Sequence, residues 1–259
     1  MTVPRIVERR VDPMEYVRLI QERTPFALAR YNDGEICAVL GGIALANRNC
    51  DGHDYLPEMC DALQRTLAEP LSDERYYYGC GCGCNHGQWA QLWADWLAAN
   101  GGNIDWRYSD DLQLIHFSGQ ALPLIEALRD STVIMVGPER WRKRWPSWLF
   151  HYFAWVETPE PNCYLEAERI QDDIERVVRI VSHRFSVVAF SASMATEVMM
   201  WRLWPRLSHL CAMVDFGSIW EPYCGHARRS VHRNLDWVGS LIEANTGHKP
   251  LEYTGGLKI

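Results

Sequence analysis

Four short apolar runs constrain this chain more than anything else in it. They are Phe26-Ala27-Leu28-Ala29, Thr132 to Val136 (TVIMV), Phe185 to Phe190 (FSVVAF) and Leu210 to Phe216 (LCAMVDF). Each runs into a turn of polar or small residues, which is how a buried strand reads. Tyr76-Tyr77-Tyr78 suits a further strand, and so does Leu149 to Val156. Helical patterns lie between these runs. Residues 12–24 open with Asp12-Pro13, a capping residue followed by proline at the first helical position. Residues 56–67 and 121–129 read as helices. Residues 88–100 carry Trp89, Leu92, Trp93, Trp96 and Leu97 on one face and stop at Gly101-Gly102. Residues 166–182 place Ile170, Ile174, Val177, Val178 and Val181 among charges, and residues 197–203 continue the series. Strands alternating with amphipathic helices predict an α/β fold.

The 259 residues, 47% hydrophobic and 23% charged, have globular composition and show no repeat or linker, so one domain is expected. No apolar run approaches a membrane span, and the charged opening MTVPRIVERRVDP lacks the apolar core of a signal peptide. A cytoplasmic protein is the expectation. Nine cysteines without a regular framework point to reduced thiols. A net charge of −7 excludes a strongly basic nucleic-acid binder, though not a local basic path. Neither G-x-x-x-x-G-K-[ST] nor G-x-G-x-x-G occurs, which counts against ATPase and dinucleotide enzymes.

The chemistry centres on Arg30-Tyr31-Asn32-Asp33-Gly34-Glu35 at the exit of the first strand. Asp33 and Glu35 are oxygen ligands suited to Mg²⁺ or Mn²⁺, and Gly34 would turn the backbone tightly enough for both to face one point. The plainer reading is a turn with solvated acids. RYNDGE resembles the R-F-G-D-G-E signature of the GT-D type glycosyltransferases. Asn32 stands where the family has the glycine before the Asp, and Asn tolerates positive φ. Other elements resemble the family too: the strand-Gly-Pro of Val136-Gly137-Pro138, the Pro161-Asn162-Cys163 stretch before a long helix, the small-residue turn at Ser191, and Asp215-Phe216-Gly217.

The resemblance implies a Rossmann-like fold, a mostly parallel sheet with helices on both faces. It implies a metal, Mn²⁺ or Mg²⁺, on Asp33 and Glu35, and a nucleotide-sugar donor, with a UDP-sugar expected. The reaction would be a single inverting displacement onto a hydroxyl of a glycan, a protein or a hydroxymethylated DNA base. Arg30 would orient a carboxylate or touch phosphate beside Asn32. Asn85 and His86 are candidates for donor contact, in a glycine-cysteine stretch (Gly79 to Cys84) whose C-x-C-x-C spacing departs from zinc sites and whose glycines suggest close approach of backbone. Ser191, Ser193 and Thr196 would hold the nucleotide at a helix start, where a plain N-cap is the alternative. Gly137 and Arg140 belong to a βα unit; Arg140, Arg142, Lys143 and Arg144 make either a phosphate-binding face or a solvated one. Asp215 or Glu221 would be the base. The tail adds His226, Arg228, Arg229, His232 and Arg233, for phosphate, acceptor or solvent. Two other readings stay open: a Rossmann-like phosphotransferase or nucleotide hydrolase using D-x-E, and a non-catalytic carbohydrate- or nucleic-acid-binding module.

Overall fold

The computed structural model describes residues 11–42, 48–49, 52–81, 89–226, 232 and 234–253. Seven strands form one sheet: β1 (Ala27–Tyr31), β2 (Tyr76–Cys80), β3 (Trp106–Tyr108), β4 (Thr132–Pro138), β5 (Ala154–Thr158), β6 (Ser186–Phe190) and β7 (Cys211–Asp215). Their order is β3-β2-β1-β7-β6-β4-β5, and every pairing is parallel. The helices are α1 (Met14–Gln21), α2 (Asp33–Val39), α3 (Pro57–Ala68), α4 (Ala90–Asn100), α5 (Asp111–Phe117), α6 (Leu122–Arg129), α7 (Glu139–Arg142), α8 (Ala167–Ile180), α9 (Ala195–Leu207) and α10 (Leu235–Thr246). The α/β fold with helices on both faces is therefore the fold observed.

Alternation along each central strand builds a core on each face. Ala29 and Tyr31 of β1, Ile134 of β4, Val188 of β6 and Met213 of β7 pack with α2, α3, α8 and α9. Leu28, Val133, Val187 and Val214 pack with α1, α5, α6 and α10 on the other face. Connections β1 to β2, β2 to β3, β5 to β6 and β6 to β7 step one way along the sheet over the first face. Connections β3 to β4 and β4 to β5 step the other way over the second. All crossovers thus share one hand, as parallel sheets require.

The chain leaves β1 toward the first face through α2 and leaves β7 toward the second through a 3₁₀ turn at Pro222–Cys224 and α10. β1 and β7 are neighbours, so a crevice opens between their carboxyl ends, where open α/β sheets hold ligands.

Two local readings need correction. Asp33-Gly34-Glu35 is the first turn of α2, not a tight turn: Asn32 is extended, with φ −106°, and its N–H donates to Glu35 Oε2 at 3.0 Å, an acid three residues on closing the helix start. Gly34 answers a packing need, since a Cβ there would lie 3.3 Å from Met194 Cγ. The strand expected at 149–156 begins only at Ala154, because Leu149 and Phe150 turn into the second core as irregular chain. The glycine reading at Gly79 holds: a Cβ would come within 3.0 Å of the Ser109 backbone. No helix among the described residues is long and apolar enough to cross a membrane.

Candidate active site

Arg30, near the end of β1, anchors the crevice. Its side chain is 5% exposed, and its Nε lies 3.5 Å from Asp215 Oδ2, near the end of β7. Gln113 of α5, with its amide oxygen turned to the guanidinium, accepts from Nη2 at 3.1 Å and Nη1 at 3.3 Å. The Arg30 N–H donates to Glu197 Oε1 of α9 at 3.3 Å. Asp215 Oδ1 accepts the Gly217 N–H at 2.8 Å, which fixes its rotamer. Gly217, with φ +54°, sits against the guanidinium; a Cβ would stand 3.3 Å from Arg30 Nη2.

Acids crowd this one cation. Desolvation, then the charges of Asp215 and Asp33, push Glu35 up to about 8. Desolvation, then Glu35 and Asp215, hold Glu197 well above the usual carboxylate range. Residues two apart in a helix do not share a face. Asp33 accordingly faces solvent while Glu35 is half-buried and folded back onto Asn32. The stronger acid neighbour of Glu35 is Asp215 rather than Asp33. No three His, Cys, Asp or Glu side chains among the described residues are grouped so that they could hold a metal ion. The Asn32 side chain turns to the end of β3, accepting from Ser109 Oγ at 2.6 Å and donating to Asp110 at 3.3 Å.

Beside the crevice lies an open cleft, its space of about 480 Å³ including solvent at the mouth. Arg140, Ser191, Ser193 and Glu221 line it, so four of the predicted residues meet there, together with His53 and Glu160. Ser191 follows β6; its Oγ is buried with no partner. Ser193 takes φ +54°, a conformation that costs a non-glycine residue energy and is frequent at functional sites. Its Oγ accepts from Asn49 Nδ2 at 3.0 Å. Because Gly34 packs on Met194, the turn before α9 joins crevice to cleft. Glu221 is 2% exposed, with Arg140 Nη2 at 3.5 Å and His232 Nδ1 at 3.8 Å.

Other predicted residues fall elsewhere. Thr196 is fully buried and offers a ligand no surface. Gly137 accepts the Trp155 Nε1–H through its carbonyl at 2.9 Å. Asn85, His86, Cys82, Cys84, Arg228, Arg229 and Arg233 lie outside the described residues. The basic face is ion-paired: Arg140 with Glu160 and Glu221, Arg142 with Glu139 and Glu157, Lys143 with Glu139. Arg144 donates to the carbonyls of Cys224 and Glu252. Sequence reasoning missed Gln113, Glu160 and Glu197 as neighbours of the site. Glu160 alone carried a signal, as an acid in the turn after a strand.

Comparison with protein-family models, with curated proteins and with solved structures returns no match. The functional reading therefore rests on the residues themselves.

Proposed function

We propose that this chain is a glycosyltransferase of the GT-D kind, moving a sugar from a nucleotide-sugar, in the first instance a UDP-sugar, to a hydroxyl acceptor. The observation that carries the reading is the Arg30–Asp215 pair at the carboxyl ends of β1 and β7, beside a cleft lined by Arg140, Ser191, Ser193 and Glu221, at the end of the sheet where parallel sheets place their ligands.

The reading includes a divalent cation, Mn²⁺ or Mg²⁺, beside α2. Glu35 is crowded by Asp215 and Asp33, a repulsion that a cation relieves, and such ions are held by one or two carboxylates with phosphate and water completing the shell. Glu35, with Asp33 at the rim, would hold it, and it would neutralise charge on the departing diphosphate. Ser193, just before α9, would donate to that diphosphate. Arg30 adds a fixed positive charge near it and is itself positioned by Asp215 and Gln113. Of the two acids considered as base, Glu221 lines the cleft and takes the acceptor's proton. The acceptor oxygen then bonds to the anomeric carbon as the bond from that carbon to the diphosphate oxygen breaks, which inverts the centre. The ion-paired basic face favours a glycan or protein acceptor over a DNA phosphate backbone.

Release of UDP from a panel of UDP-sugars, with and without Mn²⁺, tests this. Metal-dependent release is expected, with Glu221→Gln lowering kcat by roughly 10²–10⁴-fold. Hydrolysis confined to simple nucleotides would transfer the site to a nucleotide hydrolase, and ligand binding without turnover would make it a binding module.

A further inference from the structure

Away from the crevice, on the first face of the sheet, a groove runs between α3 and α9. Glu58, Asp61 and Arg65 line it from one face of α3, at i, i+3 and i+7, and Trp201 and Arg202 line it from α9. Tyr164, in the 3₁₀ turn Cys163–Glu166, lines it too. The space is about 230 Å³, where one water molecule needs only about 10–15 Å³. Both rings are held in place. Trp201 Nε1–H donates to the Glu69 carbonyl at 3.1 Å, and Tyr164 Oη–H donates to the Glu58 carbonyl at 3.1 Å. Each ring packs on the first core and stays partly exposed. The charges are uncommitted: the side chains of Glu58, Asp61, Arg65 and Arg202 enter no ion pair or hydrogen bond among the described residues, unlike the paired cations of α7. Two guanidinium groups offset two carboxylates, so a lone anion or a lone cation finds as much repulsion as attraction. A neutral ligand rich in hydroxyl groups uses both kinds of partner, since each hydroxyl can donate to a carboxylate and accept from a guanidinium. A pyranose ring also carries a face of C–H groups, and laying that face on a fixed aromatic ring removes apolar surface from water.

We infer that the α3–α9 groove is a sugar-binding site separate from the crevice and cleft, taking one uncharged pyranose ring of a glycan against Trp201, with its hydroxyl groups shared between the carboxylates of α3 and the guanidinium groups of Arg65 and Arg202. The inference goes beyond the transfer reaction and does not rest on it, since the groove and the cleft have no lining residue in common.

The indole N–H of Trp201 reports on the groove directly. In the whole protein labelled with ¹⁵N-tryptophan, its NMR cross-peak is the one missing from Trp201→Phe. The probes are the methyl glycosides of glucose, galactose, mannose and N-acetylglucosamine, set against inorganic phosphate and glycine as an anion and a zwitterion. At least one glycoside shifts the Trp201 peak in a saturable way, and phosphate and glycine leave it in place. Asp61→Asn and Arg202→Gln, both at the groove surface, each raise the apparent Kd for that glycoside by about two- to tenfold, the loss of one hydrogen bond. Three results overturn the inference. The first is a Trp201 peak that no glycoside moves. The second is a peak moved by phosphate or glycine and by no glycoside, which makes the groove an ion or zwitterion site. The third is a glycoside shift that survives both variants unchanged, which places the sugar elsewhere on the protein.

Discussion

Gly34 separates two accounts of the acidic motif at the scale of one residue. A tight turn would need the freedom of glycine in its backbone, and any side chain there would be strained. In α2 the backbone is helical, and the constraint comes from Met194, whose Cγ and Sδ would lie 3.3 and 3.5 Å from an added Cβ. Methionine is adaptable and yields a few tenths of an ångström readily. Alanine also gains up to about 1 kcal/mol over glycine inside a helix. Gly34→Ala should therefore leave stability within about 1 kcal/mol of the native protein, read by thermal or urea unfolding. A loss well beyond that would return the motif to a strained turn. The same helical geometry sends Asp33 outward and Glu35 inward, which makes Asp215 the stronger acid neighbour of Glu35.

At the scale of elements, one buried histidine ties three segments together. His116 Nδ1 of α5 meets Tyr223 Oη at 2.8 Å, in the 3₁₀ turn after β7. Asn245 of α10 donates to the His116 carbonyl at 3.0 Å and to Tyr223 Oη at 3.1 Å, and accepts the Ala121 N–H at 2.8 Å. Burial, then nearby His232, pushes His116 down to about 3. The unfolded chain protonates this ring near its ordinary value of 6.5. Between these limits the unfolded state holds a proton that the native state refuses, so stability is full above pH 6.5 and falls as pH drops toward 3. The fall between pH 7 and pH 5 amounts to about 2 kcal/mol, since each pH unit below 6.5 removes roughly 1.4 kcal/mol. In His116→Gln, urea unfolding at the two pH values should show that difference reduced by about this amount. An unchanged difference would mean the ring is protonated in the fold. None of this network is legible in the sequence, since neither α5 nor α10 stands out there as a helix and His116 lies more than a hundred residues from Tyr223 and Asn245. The strands are legible where they are buried on both faces, as in TVIMV and FSVVAF. β3, three residues at an edge, carries too little pattern to find. The α2 helix has a signal, Asn32 three residues before Glu35 and then an apolar run, which the Asp-Gly pair disguises as a turn. Arg30, Ser191 and Asp215 are legible because the strand ends are. Gln113 and Glu197 reach Arg30 only through the folded topology.

For the whole molecule, the two cores share their strands. Val187 of β6 faces one core and Val188, the next residue, faces the other; Val133 and Ile134 of β4 do the same, as do Met213 and Val214 of β7. Neither layer of helices can lose its floor without the other losing its ceiling, and β1, β7, β6 and β4 have no fold of their own apart from both. Unfolding should accordingly be one cooperative transition, with near-UV and far-UV dichroism tracing the same curve. Val187→Ala and Val188→Ala each delete buried methyl groups from a site with no exposure. Each should shift that one transition by about 1–3 kcal/mol, despite acting on opposite faces. Two resolved transitions, one moved by each variant, would show that the layers unfold separately.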